Sequence, residues 1–227
     1  MIAGLQPCSF IDYPEYLSAV VFLRGCNLRC PYCHNPSLIS PNGECYLSDD
    51  EFFSFLKKRQ GLLDAVVISG GEPTLYADLN KLITKIQSMG FLVKLDTNGT
   101  QPKVIADLLN AKLLNYIALD LKDHPNSYAS WLGAYSKPED LLESISIIKD
   151  SDVAHEFRTT VVLPYHDKVR LNRMAKYALG CKQWILQAYK NTTTSRRFVS
   201  PPVNYLKQIA ATICRDYGIS CFYRNGN

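Results

Sequence analysis

Short apolar runs alternate with amphipathic stretches along most of this chain. Most of the runs are rich in Val, Ile and Leu. They lack the alternation of polar and apolar residues that is typical of a strand with one solvent-exposed face. Such runs are typical of parallel strands that are buried on both faces. They predict six strands, at Ser18–Leu23, Ala65–Ser69, Leu92–Leu95, Tyr116–Leu119, Glu156–Val162 and Trp184–Leu186.

Helix signals follow each of these strands. Ser48 to Glu51 has the form of a capping box, in which the side chains and backbones of the first and fourth residues pair. The other predicted helices begin near Asp78, Pro102, Pro138, Asp167 and Pro202. Six strand–helix units in a row predict an α/β fold with right-handed crossovers. Because a full barrel needs eight, we predict a partial (β/α)6 barrel.

The chain of 227 residues is 47% apolar, which is enough for one sizeable core. We predict a single domain over residues 1–227, with a core at about 17–190 and a C-terminal helix and tail at about 200–227. The polar segment Asn191–Pro202 predicts a mobile loop.

Charge and hydropathy indicate neither a nucleic-acid nor a membrane partner. The net charge is +4 without a long basic run, so no nucleic-acid partner is expected. No apolar run approaches the ~18 residues of a membrane span, and the N-terminus lacks the features of a secretory signal. These features predict a cytoplasmic protein with no membrane partner. In that compartment, cysteines are more often metal-binding or catalytic than disulfide-bonded. The five scattered cysteines are expected to be buried small hydrophobes: Cys8, Cys45, Cys181, Cys214 and Cys221.

The stretch "CNLRCPYCHNP", Cys26 to Pro36, is the strongest chemical signal. Its Cys-x-x-Cys part occurs in dithiol redox enzymes, and Cys-x-x-Cys-His is a haem attachment signal. Zinc is a third alternative, because Cys26, Cys30, Cys33 and His34 make four ligands. The fourth is a [4Fe–4S] cluster held by three thiolates, which leaves one iron open to substrate. The dithiol interpretation leaves Cys26 unexplained, and haem attachment needs export.

Two motifs together resemble the radical S-adenosylmethionine (SAM) superfamily. They are the triplet "CNLRCPYC" and "GGEP", Gly70 to Pro73, at the end of the second predicted strand. The resemblance implies one [4Fe–4S] cluster on Cys26, Cys30 and Cys33, which are the catalytic centre. It also implies that Gly70, Gly71 and Glu72 bind the amino group of SAM. Glycines allow close backbone approach, and a carboxylate accepts strongly from an ammonium.

"LDTNG" (Leu95–Gly99) and "LDLK" (Leu119–Lys122) follow the next two strands. Alone they could be an Asn-Gly turn and a surface ion pair. With "CHNP" they resemble the glycyl-radical-enzyme activases. That resemblance implies a Na⁺ or K⁺ ion on Asp96, Thr97 and Asp120, with further cofactor contacts from Tyr32, His34, Asn35, Asn98, Lys122 and Arg158.

Longer stretches resemble the activating proteins of anaerobic ribonucleoside-triphosphate reductase. They include "SFIDYPEYLSAVVFLRGC" from Ser9 and "EFRTTVV" from Glu156, and the resemblance extends to about Gln187. It implies reductive cleavage of SAM and transfer of a radical to a glycine of the reductase, with a flavodoxin or ferredoxin-like protein as electron donor. "LQAYKNTTT", Leu186 to Thr194, departs from the family pattern. The alternatives are an activase of another glycyl-radical enzyme, of the pyruvate formate-lyase type, and a small-molecule enzyme such as a carboxy-deazaguanine synthase.

Overall fold

The computed structural model describes residues 2–133, 135, 137–190 and 197–224. The first six residues of the predicted mobile loop, 191–196, lie outside the described residues, as do both chain ends. Within the described ranges, no helix is long and apolar enough to cross a membrane.

The described residues contain eight strands. They are β1 (Ile2–Ser9), β2 (Ser18–Leu23), β3 (Ala65–Gly70), β4 (Leu92–Thr97), β5 (Tyr116–Asp120), β6 (Ala154–Val161), β7 (Trp184–Ala188) and β8 (Cys221–Arg224). All six predicted strands are present, with ends that differ by up to two residues. The sequence did not predict β1 and β8.

The helices are α1 (Asp49–Lys57), α2 (Leu79–Ser88), α3 (Pro102–Asn110), α4 (Tyr128–Trp131), α5 (Pro138–Asp150), α6 (Lys168–Ala178) and α7 (Val203–Tyr217). The capping box of α1 is confirmed: Ser48 Oγ accepts from the Glu51 amide, and the Glu51 carboxylate accepts from the Ser48 amide at 2.8 Å. Only the one-turn α4 was not predicted. The helices that follow β3, β4, β5 and β6 confirm the α/β class.

The described chain divides into two compact units, and neither is one continuous stretch. The first contains residues 1–27, 35–97 and 101–117. Here β1 pairs antiparallel with β2, while the β2–β3 and β3–β4 pairs are parallel. A core of buried side chains includes Val20 of β2, Val67 of β3, Tyr13 from the turn between β1 and β2, and Tyr116, the first residue of β5. The parallel register brings the carboxyl ends of β3 and β4 to one edge.

The second unit contains residues 28–34, 98–100 and 118–227. Its strands β6, β7 and β8 form two further parallel pairs. Most of β5, including Asp120 at its carboxyl end, belongs to this unit. A mostly parallel sheet is therefore confirmed, whereas the single domain over residues 1–227 stays a prediction.

The burial predicted for the scattered cysteines is wrong for three of them. Cys8, Cys45 and Cys214 are exposed, Cys181 is half-buried, and only Cys221 is buried. Cys8 lies near the end of β1, which was not predicted, and Cys214 lies on the solvent side of α7. Composition alone does not say which face of an element a cysteine occupies.

Candidate active site

The "GGEP" turn packs directly against the backbone that leads into the cysteine motif. A Cβ on Gly70 would collide with the backbone of Leu23, and one on Gly71 would collide with the carbonyl of Gly25. Gly70 also has a φ of +125°, which side-chain-bearing residues rarely adopt. The Glu72 amide donates to the Gly25 carbonyl at 2.7 Å. The residue before Cys26 is thus fixed against the "GGEP" turn within the first unit.

Glu72 is held by donors from two strand ends. Its side chain is buried, and its Oε1 accepts from Thr97 Oγ1 at 2.7 Å, Thr74 Oγ1 at 2.5 Å and the Thr74 amide at 3.1 Å. Thr97, the last residue of β4, was expected to bind an alkali-metal ion. In the structure its hydroxyl orients the "GGEP" carboxylate, and its role at an ion stays a prediction. Burial of a carboxylate is costly unless such donors satisfy it.

We expect Thr97→Val to destabilise the fold by about 1–3 kcal/mol, because a buried acceptor loses a donor while the side-chain shape is kept. Guanidinium denaturation would measure the free energy of unfolding. Thr97→Ser should retain most of the stability. The matched control is Thr84→Val on α2, where an exposed hydroxyl donates to the Asn80 carbonyl at 2.8 Å. A Thr97→Val protein no less stable than this control would contradict the bonding described for Glu72.

Asp96 forms a buried ion pair with Lys94. Their side chains are 9% and 1% exposed, and Lys94 Nζ donates to Asp96 Oδ1 at 2.6 Å. Residues two apart on a strand share one face, so β4 places both groups on the same side. Ser69 Oγ donates to the second carboxylate oxygen at 3.3 Å. Lys94 was not among the predicted site residues. A lysine within the apolar run "LVKL" does indicate a buried carboxylate partner, because lysine is almost never fully buried unless it is paired.

The second unit contains the other end of the cysteine motif. The Cys33 amide donates to the Cys30 carbonyl at 3.0 Å, which closes a tight turn that leaves both thiols half-exposed. Between them Tyr32 is buried against the rings of Trp131, Tyr189, His166 and Phe198. Its hydroxyl has no hydrogen-bond partner among the residues that the structure describes. Burial first, and then Cys30, raise the pKa of Tyr32 well above its ordinary value.

Asp120, Lys122 and Arg158 form a charged cluster at the end of β5. Arg158 Nε donates to Asp120 Oδ1 at 2.8 Å, and Lys122 Nζ donates to Oδ2 at 3.1 Å. Burial lowers the pKa of Lys122, but Asp120 first and then the Cys30 thiol raise it well above its usual value. The three side chains carry a net charge of +1, which suits a ligand that brings a carboxylate.

The Asp120 ion pairs make one pH prediction. Burial raises the pKa of Asp120, but Arg158 and Lys122 outweigh burial and hold the pKa well below its usual value. As pH falls, the Asp120 carboxylate therefore takes up a proton at a higher pH in the unfolded chain than in the folded protein. The stabilisation is fully present above the unfolded pKa of about 3.9 and is lost as pH approaches the folded value.

We accordingly expect the stability difference between wild type and Asp120→Asn to be constant near neutral pH and to shrink below about pH 4. Urea denaturation of the metal-free proteins across that range would measure it. Asp152→Asn, which removes an exposed carboxylate, is the matched control. A difference that stays unchanged down to about pH 2.5 would show that the ion pairs do not depress this pKa.

The other predicted residues have local partners. Asn98 is buried, and its Oδ1 accepts from the Thr100 amide at 3.0 Å and hydroxyl at 2.7 Å. Asn35 is exposed and precedes the short 3₁₀ turn Pro36–Leu38. His34 stacks on Tyr189, with ring centroids 5.5 Å apart and an interplanar angle of 13°. Burial is the main cause that lowers the pKa of His34, which favours the neutral ring.

Sequence reasoning missed several residues that orient the site, including Thr74, Tyr128 and Tyr189. The Tyr128 hydroxyl accepts from the Lys122 amide at 2.9 Å. Tyr189 lies in "LQAYKNTTT", where the departure from the family pattern was the available signal. Thr74 follows "GGEP" directly, so its position was the signal there.

The alkali-metal ion stays a prediction. Asp96 and Asp120, two of its expected ligands, are already paired with Lys94, Lys122 and Arg158. Among the described residues, no three His, Cys, Asp or Glu side chains are arranged to hold a metal ion. In a [4Fe–4S] cluster each thiolate binds a different iron atom, so the cysteines do not have to converge on one point. The absence of a three-ligand group among the described residues therefore bears on single metal ions and not on the cluster.

Comparisons with known proteins agree on the family. A family model described as the radical SAM superfamily matches residues 20–178. A protein of Methanocaldococcus jannaschii, whose name assigns it provisionally to the glycyl-radical enzyme activating enzymes, is 36% identical over 84% of this chain and 80% of its own length. A 7-carboxy-7-deazaguanine synthase of Aquifex aeolicus is 37% identical, but only over 37% of this chain and 36% of its own length.

A solved structure shares the fold. The radical SAM methyltransferase from Sphaerobacter thermophilus superposes with a TM-score of 0.73, covering 96% of this chain and 68% of the other. The two sequences are 18% identical, so the similarity concerns the fold alone.

Proposed function

The chain belongs to the radical SAM superfamily, and from that premise we propose that it activates a glycyl-radical enzyme, the anaerobic ribonucleoside-triphosphate reductase. The proposal rests on one structural observation. In the first unit, the residue that precedes the cysteine motif lies against the "GGEP" turn, which is expected to bind SAM. The Glu72 amide donates to the carbonyl of Gly25, and Gly25 directly precedes Cys26.

The residues present fit the cofactors that the family implies. Cys26, Cys30 and Cys33 lie within eight residues and form no disulfide, and soft thiolates are the ligands of an iron–sulfur cluster. A Cβ at Gly70 or Gly71 would collide with the backbone of Leu23 or Gly25, so the two glycines allow the "GGEP" turn to pack directly against the segment that leads into the cysteine motif. We propose that the three thiolates hold the cluster and that Gly70, Gly71 and Glu72 bind the amino group of SAM. Bound together, the cluster and SAM would supply a one-electron reductive cleavage to methionine and a 5′-deoxyadenosyl radical, the species that would remove a hydrogen atom from a glycine Cα.

The side chains around the cofactors have fixed electrostatic roles. Glu72 is oriented by Thr74 and Thr97, so the proposed acceptor for the ammonium group is preorganised. Asp120 alone would repel the carboxylate of methionine. Lys122 and Arg158 reverse that, because they keep Asp120 ionised and give the cluster a net positive charge.

The remaining contacts belong to the same proposal. Tyr32, between two of the cysteines, presents its backbone to the adenine, and its buried ring fixes that turn. His34, Asn35 and Asn98 complete the surroundings of SAM. An alkali-metal ion at Asp96, Thr97 and Asp120 would need their present ion pairs and hydrogen bonds to rearrange. A flavodoxin or ferredoxin-like protein would supply the electron.

The identity of the partner, the anaerobic reductase, is the most specific part of the proposal. It is supported by the motifs of the sequence and by the similarity to an activating enzyme over most of both chains. The partial match to a carboxy-deazaguanine synthase supports a second candidate, an enzyme that acts on a small molecule. An activase must admit a polypeptide, whereas the second candidate requires only a small substrate.

Electron paramagnetic resonance separates these functions. The reconstituted, reduced protein would be mixed with SAM and the anaerobic reductase of the same organism. We expect a glycyl-radical doublet that is absent when SAM is omitted and when a reductase with its radical glycine changed to alanine is used. Release of 5′-deoxyadenosine without a protein radical would refute activation of this reductase and direct the search to other glycyl-radical enzymes and small substrates.

A further inference from the structure

The second unit contains a cavity that the proposed reaction does not use. Its volume is about 850 Å³, within the ~300–1,000 Å³ that is typical of small-molecule sites. The turn before α4, one side of α6 and the end of α7 form its walls. The lining residues are His124, Asn126, Ser127, Val169, Arg170, Asn172, Arg173, Lys176 and Tyr217, and none of them carries a carboxylate.

Three cations on α6 give this cavity its charge. Arg170, Arg173 and Lys176 are spaced by three residues, so they lie along one side of the helix. Arg170 is fixed by Asp123 at 3.2 Å and by the ring of Tyr165, and Asp123 partly offsets its charge. Arg173 and Lys176 are exposed, and neither forms an ion pair with a carboxylate of the described residues. Their two positive charges face the cavity without compensation.

His124 lines the cavity as an uncharged side chain. Its Nδ1 accepts from the Asn126 amide at 3.2 Å, so Nε2 carries the proton and donates to the Tyr177 hydroxyl at 2.9 Å. Burial first, and then Lys176, lower the pKa of His124. The positive charge of the cavity therefore comes from α6 and does not depend on histidine protonation.

Asn172 adds a neutral polar group between the cations. Its Oδ1 is buried and has no hydrogen-bond partner among the described residues. A buried acceptor without a donor is unusual in proteins. Because Asn172 also lines the cavity, a ligand hydroxyl is the donor that this oxygen lacks.

We propose that this cavity binds a small phosphate ester with free hydroxyl groups, a sugar phosphate. Arg173 and Lys176 bind the phosphate through charge-assisted hydrogen bonds, with Arg170 beside them. Asn172, Asn126 and Ser127 pair with hydroxyl groups. The cavity is much larger than a bare phosphate, so the ligand carries a second part, and the amide and hydroxyl side chains of the lining suit hydroxyl groups on that part. This site is independent of the proposed radical chemistry.

Isothermal titration calorimetry with ribose 5-phosphate tests the site on the full-length protein. We expect saturable binding that is weakened about tenfold or more in the double variant Arg173→Gln/Lys176→Gln. The matched control is Lys57→Gln/Lys58→Gln at the exposed C-terminal end of α1, which removes the same net charge and should bind as wild type does. Circular dichroism would check that both variants are folded.

Two further ligands and one variant test the recognition of the hydroxyl groups. Inorganic phosphate should bind more weakly than ribose 5-phosphate, and ribose alone should not bind measurably. Asn172→Ala should bring the affinity for ribose 5-phosphate close to that for phosphate. Absence of saturable binding, or equal weakening in both double variants, would overturn the site. Equal affinity for phosphate and its ester would overturn the assignment to a sugar phosphate.

Discussion

Replacement of Cys30 by serine is expected to reduce SAM cleavage to background. Cys30 is proposed as one of three thiolates on the cluster, and a serine hydroxyl is a hard, protonated group at neutral pH. With two thiolates left, the cluster would be lost or unstable. Release of 5′-deoxyadenosine under anaerobic reduction measures the activity, and the iron and sulfide content measures the cluster.

The control for this experiment is Cys45→Ser. Cys45 is an exposed free thiol outside the triplet, so its replacement should leave the cluster and the cleavage unchanged. Thermal unfolding of both metal-free variants would show that neither substitution acts through misfolding. Full cleavage by the Cys30→Ser protein would remove the basis for the whole site assignment, including the roles given to the "GGEP" motif.

The largest effect on stability is expected from Lys94→Met. The substitution keeps the length of the side chain but leaves Asp96 buried without its cation. Breaking a buried pair in this way typically costs about 3–5 kcal/mol. Guanidinium denaturation of the metal-free protein would measure the loss, and Lys94→Met/Asp96→Asn should recover much of it because no charge remains unpaired.

An exposed pair of nearly the same geometry is the control. Lys81 and Asp78 are 2.7 Å apart at the start of α2, but their side chains are 85% and 52% exposed. Surface pairs of this kind contribute about 0–1 kcal/mol, so Lys81→Met should have a small effect. If Lys94→Met were as mild as Lys81→Met, solvent would have to reach Asp96, which contradicts the burial described here.

These two experiments distinguish an effect on the cofactor from an effect on the stability of the fold. Cys30→Ser removes a proposed ligand of the cofactor and should leave the metal-free fold intact. Lys94→Met removes the partner of a strand-end carboxylate and acts on the fold first. Loss of cleavage in Lys94→Met at a temperature where the protein is folded would show that the position of Asp96 also matters for SAM.

The local elements and the chemical motifs could be predicted from the amino-acid sequence alone. The apolar runs predicted β2 to β7, since a parallel strand buried on both faces needs an uninterrupted apolar segment. Caps and prolines located most of the helices, because these signals act within a few residues of a helix end. The cysteine triplet and "GGEP" indicated the superfamily without any structure.

The tertiary structure decided the contacts between residues that are distant in the chain. The bonds from Thr97 to Glu72 and from Arg158 to Asp120 join residues 25 and 38 positions apart. Strands β1 and β8 depend on pairing with a neighbouring strand, so their own sequences carry weak signals. Periodicity records which face of an element is buried, but the partner of a polar side chain is fixed only when separate strands lie side by side.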